Sequence, residues 1–209
     1  MIKQLLLVIF GAALGAGALY YGCPSKGRLG CSNKAHELRL AVGKLWADHV
    51  IWTRDYIIAA IAGAPDAEFA VKRLMKNQED LGHAIVPFYG KEAGAKLTEL
   101  LKEHIAISAD VVSAAKANDT GKLEQANARW YKNADQLAEF LSKANPNWPK
   151  EMMRKMLNEH LALTTKEVTS RLKKNWEDDI ATFDQVFNQA LTMADDLTAG
   201  IVKQFPDRF

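Results

Sequence analysis

An acid followed directly by a histidine recurs three times in this chain, each time in the same apolar setting. The phrases are Leu45-Trp46-Ala47-Asp48-His49-Val50, Leu100-Leu101-Lys102-Glu103-His104-Ile105 and Met156-Leu157-Asn158-Glu159-His160-Leu161. Four residues after each histidine comes a hydroxyl: Thr53, Ser108 and Thr164. The three histidines are 55 and 56 residues apart and are three of the five in the chain. Imidazole is a ligand for zinc and also suits copper, iron and nickel, and three imidazoles with an open fourth position form a recognised zinc arrangement. If the rings converge, His49, His104 and His160 would bind zinc or another transition metal. Asp48, Glu103 and Glu159 lie about 100° round the helix from their own histidines. They would therefore orient a ring from a neighbouring helix more readily than share its metal. Asn77 and Asn133 would support the rings from the return helices. The competing account needs no ligand: each imidazole bonds an amide or a hydroxyl, and the polar layer sets the register of a bundle. Duplication copies structural residues as faithfully as ligands, so repetition alone does not separate the two.

Other chemistries have weaker footing. A carboxylate-bridged di-iron site needs Glu-x-x-His on two helices. The chain offers only Asp80-Leu81-Gly82-His83, and the positions matching His83 are Glu139 and Ala199. His83 is expected to be partly exposed and paired with Glu79. Ser108 stands one turn from His104 but lacks a glycine-shaped oxyanion turn. Neither cysteine lies in the helical body, and there is no Gly-rich phosphate loop, no GxSxG and no CxxC. The net charge is +2, with no basic run interleaved with aromatics, so nucleic acid is not an expected partner.

These residues need a scaffold that brings distant segments to one level, and the chain supplies helices. Beyond Ser32, apolar residues recur at three and four, as in Val42, Leu45, His49, Thr53, Tyr56 and Ala60. Breaks fall at Gly63-Ala64-Pro65-Asp66, Phe88-Tyr89-Gly90, Asn118-Asp119-Thr120-Gly121 and Asn145-Pro146-Asn147-Trp148-Pro149, and Asn175 caps a last helix. Six helices follow, over about 35–62, 66–88, 91–117, 120–143, 149–173 and 176–204. The returns share a pattern, Asn77-Gln78-Glu79-Asp80-Leu81 with Asn133-Ala134-Asp135-Gln136-Leu137 and, more loosely, Met193-Ala194-Asp195-Asp196-Leu197. The expected fold is all-α: a six-helix bundle of three repeated αα-hairpins, with the histidines at mid-height on parallel helices. Trp46, Trp52, Trp130 and Trp176 are expected to pack it, and Trp148 to plug a joint between hairpins.

The amino terminus is a separate unit. Residues 5–22 carry no charge, and 18 residues of helix span roughly 27 Å, enough for a thin bilayer core. Gly11 and Gly15 form a GxxxG suited to self-association within a membrane. A cleaved signal peptide with a small-x-small site at Ala16-Gly17-Ala18 is the competing reading; span length favours a retained anchor. The expected organisation is a transmembrane anchor at 1–22, a linker at 23–34 and a bundle at 35–209, giving a single-pass membrane protein. Charges on both flanks leave the side of the membrane open. Cys23 and Cys31 would pair only in an oxidising compartment.

Trp52-Thr53-Arg54, Pro87-Phe88-Tyr89-Gly90, Asn133-Ala134-Asp135, the segment from Phe140 to Pro149, and Gln204-Phe205-Pro206 carry a resemblance. Over about residues 35–206 the chain resembles a family of small soluble bacterial helical proteins of uncharacterised function, some labelled glycosyltransferase. The resemblance implies an all-helical domain and no particular activity. The chain has no DxD motif and no parallel-sheet pattern to hold a nucleotide sugar, so that label is not carried over. The functional expectation is a membrane-anchored, non-catalytic binding or structural module. The alternative is a metal-binding protein or metalloenzyme built on the three histidines.

Overall fold

The computed structural model describes residues 33–209, which form helices throughout; among them there is no strand. The helices are α1 (Asn33–Ala62), α2 (Ala67–Lys116), α3 (Thr120–Ala144), α4 (Lys150–Leu172) and α5 (Trp176–Gln204), followed by a short 3-10 turn, Pro206–Arg208. The expected anchor at 5–22, its GxxxG, and Cys23 and Cys31 lie outside the described residues. No helix among the described residues is long and apolar enough to cross a membrane.

The sequence predicts six helices and the structure has five, because 66–88 and 91–117 are joined as α2. Its 50 residues would reach roughly 75 Å as a straight rod and hold Glu79 and Lys102 roughly 35 Å apart. Instead Lys102 Nζ lies 2.6 Å from Glu79 Oε1, so α2 folds back on itself. The reversal occurs at Gly90, whose φ of 86° and ψ of 171° fall in a region that only glycine enters readily. Pro87, three residues earlier, has no N–H to donate to the helix. The arms, 67–89 and 91–116, then cross glycine on glycine. A Cβ at Gly82 would lie 2.6 Å from the Gly94 carbonyl oxygen, and one at Gly94 would lie 2.8 Å from that of Gly82.

The opposite end of the bundle is turned three times in one way. Gly63, Asn118 and Lys174 each adopt a left-handed conformation, with φ of 71°, 54° and 57°. The next N–H in each case reaches back five residues: Ala64 to Ala59, Asp119 to Ala114 and Asn175 to Ser170, at 2.9, 3.0 and 3.0 Å. This is the Schellman closure, which satisfies carbonyls that a helix end leaves without partners. Asp119 and Asn175 then cap α3 and α5 by accepting from the N–H groups of Lys122 and Asp178.

Each helix packs on its chain neighbours, and α5 returns against α1, so the bundle is closed. At the end where α2 reverses, Tyr89 Oη donates to Gln204 Oε1 at 2.9 Å and accepts from Asn145 Nδ2 at 2.9 Å. Burial pushes the Tyr89 hydroxyl up to about 12, which keeps it a donor. Trp148 is buried against this group, with its ring centroid 5.7 Å from that of Tyr89. Trp46 and Trp130 are buried as expected, whereas Trp176 is half exposed beneath the Arg171 guanidinium. It opens α5 at the bundle's end, where no further helix covers it.

Candidate functional site

The three histidines come together at mid-height in the core. His49, His104 and His160 are 3%, 5% and 5% exposed. His49 and His160 face each other with ring centroids 5.8 Å apart.

Each ring is held by a side-chain amide 29 residues further along the chain. His104 Nδ1 lies 2.8 Å from Asn133 Oδ1, and His160 Nδ1 lies 2.9 Å from Gln189 Oε1. The amide orientations follow from their other bonds. Asn133 Nδ2 donates to the Leu100 carbonyl at 3.1 Å, and Gln189 Nε2 to the Met156 carbonyl at 3.0 Å. Each amide oxygen therefore faces its ring, and the ring must carry its proton on Nδ1 to donate to it. In the first hairpin two residues share the task. Asn77 Nδ2 donates to the Leu45 carbonyl at 2.9 Å, while Gln78 Nε2 lies 3.3 Å from His49 Nδ1. Leu45, Leu100 and Met156 all stand four residues before their histidines, so in each hairpin an amide holds the turn below the ring, although at His49 the ring itself meets Gln78, which donates to the Leu74 carbonyl.

His104 is bonded on both sides. Trp130 Nε1–H donates to His104 Nε2 at 3.0 Å, and indole nitrogen can only donate. The Nε2 lone pair is thus taken and Nδ1 is protonated, which leaves no nitrogen of His104 to ligate a metal. Among the described residues no three His, Cys, Asp or Glu side chains are grouped as a metal ion requires. The acids are also turned away from the rings. Asp48 pairs with Lys44 at 2.6 Å and Arg73 at 3.5 Å, and Glu159 is exposed. Only Glu103 reaches the layer, accepting from Asn133 Nδ2 at 3.2 Å. Thr53 and Thr164 donate to the carbonyls of their own histidines, and Ser108 to that of Ile105.

The three imidazoles are held towards their neutral form. Burial pushes His49 down to about 3, and the neighbouring His160 and His104 push the same way; bonds with Gln78 and Asn77 offset this in part. Burial likewise takes His104 down to about 4 against the bond to Asn133, and lowers His160 against the bond to Gln189.

A second polar cluster joins α1, α4 and α5 on the side of the layer nearer the turn before α5. Arg54 donates through Nη1 to Glu167 Oε1 at 2.7 Å and to Asp179 Oδ1 at 2.8 Å, and through Nη2 to Asp179 Oδ2 at 3.0 Å. Arg171 Nη1 adds a bond to Asp179 Oδ2 at 3.0 Å, and the Phe183 ring lies 4.8 Å from the Arg54 guanidinium. Both carboxylates are buried, at 1% and 0% exposed. Burial raises Glu167 to about 7, partly opposed by Arg54. Asp179, bonded by both guanidinium groups, is lowered although burial acts the other way. Two cations and two anions make the cluster neutral when Glu167 is ionised.

The sequence pattern reaches Asn77 and Asn133 but misses Gln78, Trp130, Gln189 and the Arg54 cluster. Gln189 was within reach: it lies 56 residues after Asn133, the same interval that separates His104 from His160. Pairing 193–197 with 77–81 displaced the third return helix by four residues, one helical turn. Arg54 meets partners 113 and 125 residues away, and no local spacing announces that. His83 is exposed, but the expected pairing with Glu79 gives way to lysines: Glu79 lies 2.6 Å from Lys102 and 3.6 Å from Lys76.

Compared with known families, curated proteins and solved structures, the chain matches none.

Proposed function

We propose that this chain is a non-catalytic helical module, held at a membrane by residues 5–22, which works by presenting its outer faces to a partner. In this reading the histidine layer is a register device, and the bundle is three copies of one αα-hairpin with α2 supplying two arms. The observation that carries it is the saturation of His104: Asn133 takes its Nδ1–H and Trp130 fills its Nε2 lone pair. A reaction centre needs a group free to bond substrate or metal, and this ring has none. The repeat reading draws support from three Schellman turns 55 and 56 residues apart and from amide clips that each span 29 residues. Trp176 and Ile180, exposed one turn apart on α5, are the kind of side chains a partner surface uses.

The second reading is zinc or another transition metal at His49, His104 and His160. The 5.8 Å approach of the His49 and His160 rings favours it. Metal analysis of the full-length chain separates the two. The module reading expects zinc well below one equivalent after gel filtration. One equivalent that His49→Gln and His160→Gln each abolish would establish the metal centre. Carbonate extraction tests the anchor: the full chain should stay in the membrane pellet, and its recovery in the supernatant would remove that part of the proposal.

A further inference from the structure

Between the histidine layer and the Tyr89–Trp148 end, the core holds a largely buried cavity of about 60 Å³. Its wall is aliphatic apart from two methionines, Met156 and Met193, and two indoles, Trp46 and Trp148. The peptide groups that would otherwise make it polar are taken. The carbonyls of Leu45 and Met156, both wall residues, accept from Asn77 and Gln189. The Trp148 Nε1–H has no acceptor and is pressed against Gly200, where an added Cβ would lie 2.0 Å away. A water molecule needs two to four polar partners and would find none here, so the space is dry.

Native cores hold few voids larger than a water molecule, because close packing is what stabilises them. We infer that this cavity is a binding site for a small apolar guest without hydrogen-bonding groups, about the size of a noble-gas atom or a dissolved diatomic gas. Size sets the class: a dry cavity of about 150 Å³ takes benzene or xenon, and this one is less than half as large. The wall suits such a guest, since thioether sulfur and indole are polarisable and attract through dispersion. Methionine is also unbranched and flexible, so Met156 and Met193 can shift to admit it. Entry is from the side between α1 and the first arm of α2, where Leu45, Ala84 and Ile85 are only half-buried.

The test is a xenon-pressure titration of the full-length chain carrying ¹³C-labelled methionine methyls. The Met156 and Met193 methyl resonances should shift along saturating curves, while the exposed Met152 drifts linearly with pressure. Ala84→Leu on the first arm of α2, and Leu101→Phe on the second, should each abolish the saturating component. Linear drift at all three methyls in the wild type overturns the inference, as does saturation that survives both substitutions. If neither variant keeps the wild-type indole N–H resonance of Trp130, the wild-type curves alone decide.

Discussion

At the scale of single residues, three buried imidazoles each carry an amide partner, and their pH response follows from their neutrality. An unfolded histidine takes a proton near pH 6.5, whereas His49 and His104 do so only near 3 and 4 when folded, with His160 lowered in the same direction. Below pH 6.5 the unfolded chain therefore binds more protons, so stability is full above 6.5 and is lost as pH falls towards the folded values. Each histidine contributes a slope of up to about 1.4 kcal/mol per pH unit. Glu167 has the opposite sign. Its folded value near 7 exceeds that of an unfolded glutamate, so its contribution is present below about 4.5 and is lost as pH rises through 7. Urea denaturation between pH 7 and 5 should show a net fall in stability on acidification, steeper in Glu167→Gln; a flat profile in both would contradict the assignment. Arg54→Ala should cost about 3–5 kcal/mol, because it leaves two buried carboxylates short of a partner. The histidine layer was legible from a repeated phrase, whereas the Arg54 cluster arises from contacts between chain segments that share no local pattern.

Helices and turns were the most legible level, because three- and four-residue periodicity and punctuation by Gly, Pro and Asn report local physics directly. The break at Phe88-Tyr89-Gly90 was visible, but its form was not: sequence marks an interruption without saying that a single glycine reverses the chain. That geometry makes Gly90→Ala destabilising by about 1–3 kcal/mol, since an L-residue is strained at φ 86° and ψ 171°. The last hairpin turn offers the reverse experiment. Lys174 occupies the left-handed position that Gly63 fills in the first turn, at a cost of about 1–2 kcal/mol for a side-chain-bearing residue. Lys174→Gly should therefore stabilise the bundle by about 0.5–1 kcal/mol after the entropy of the added glycine is counted. A lower melting temperature in that variant would mean the turn is held by something other than backbone conformation.

For the molecule as a whole, the described residues form a closed all-helical bundle with a polar layer across its middle and an apolar cavity to one side of that layer. Its closure by α5 against α1 places His49 beside His160 although 111 residues separate them in sequence. The acids that made the repeated phrase look catalytic lie mostly outside the layer, and amides hold the rings. The central claim is that these histidines are neutral, internally bonded structural groups. The most direct measurement is the ¹⁵N–¹H imidazole spectrum of the full-length protein, recorded from pH 7 to 5 with and without one equivalent of zinc. The account predicts Nδ1–H tautomers for His104 and His160, an unprotonated Nε2 bonded to Trp130 in His104, no change of the three rings with zinc, and no change of His49 or His104 over that pH range. Imidazolium signals from His49 or His104 above pH 5, or a zinc-induced shift of all three Nε2 resonances, would contradict it.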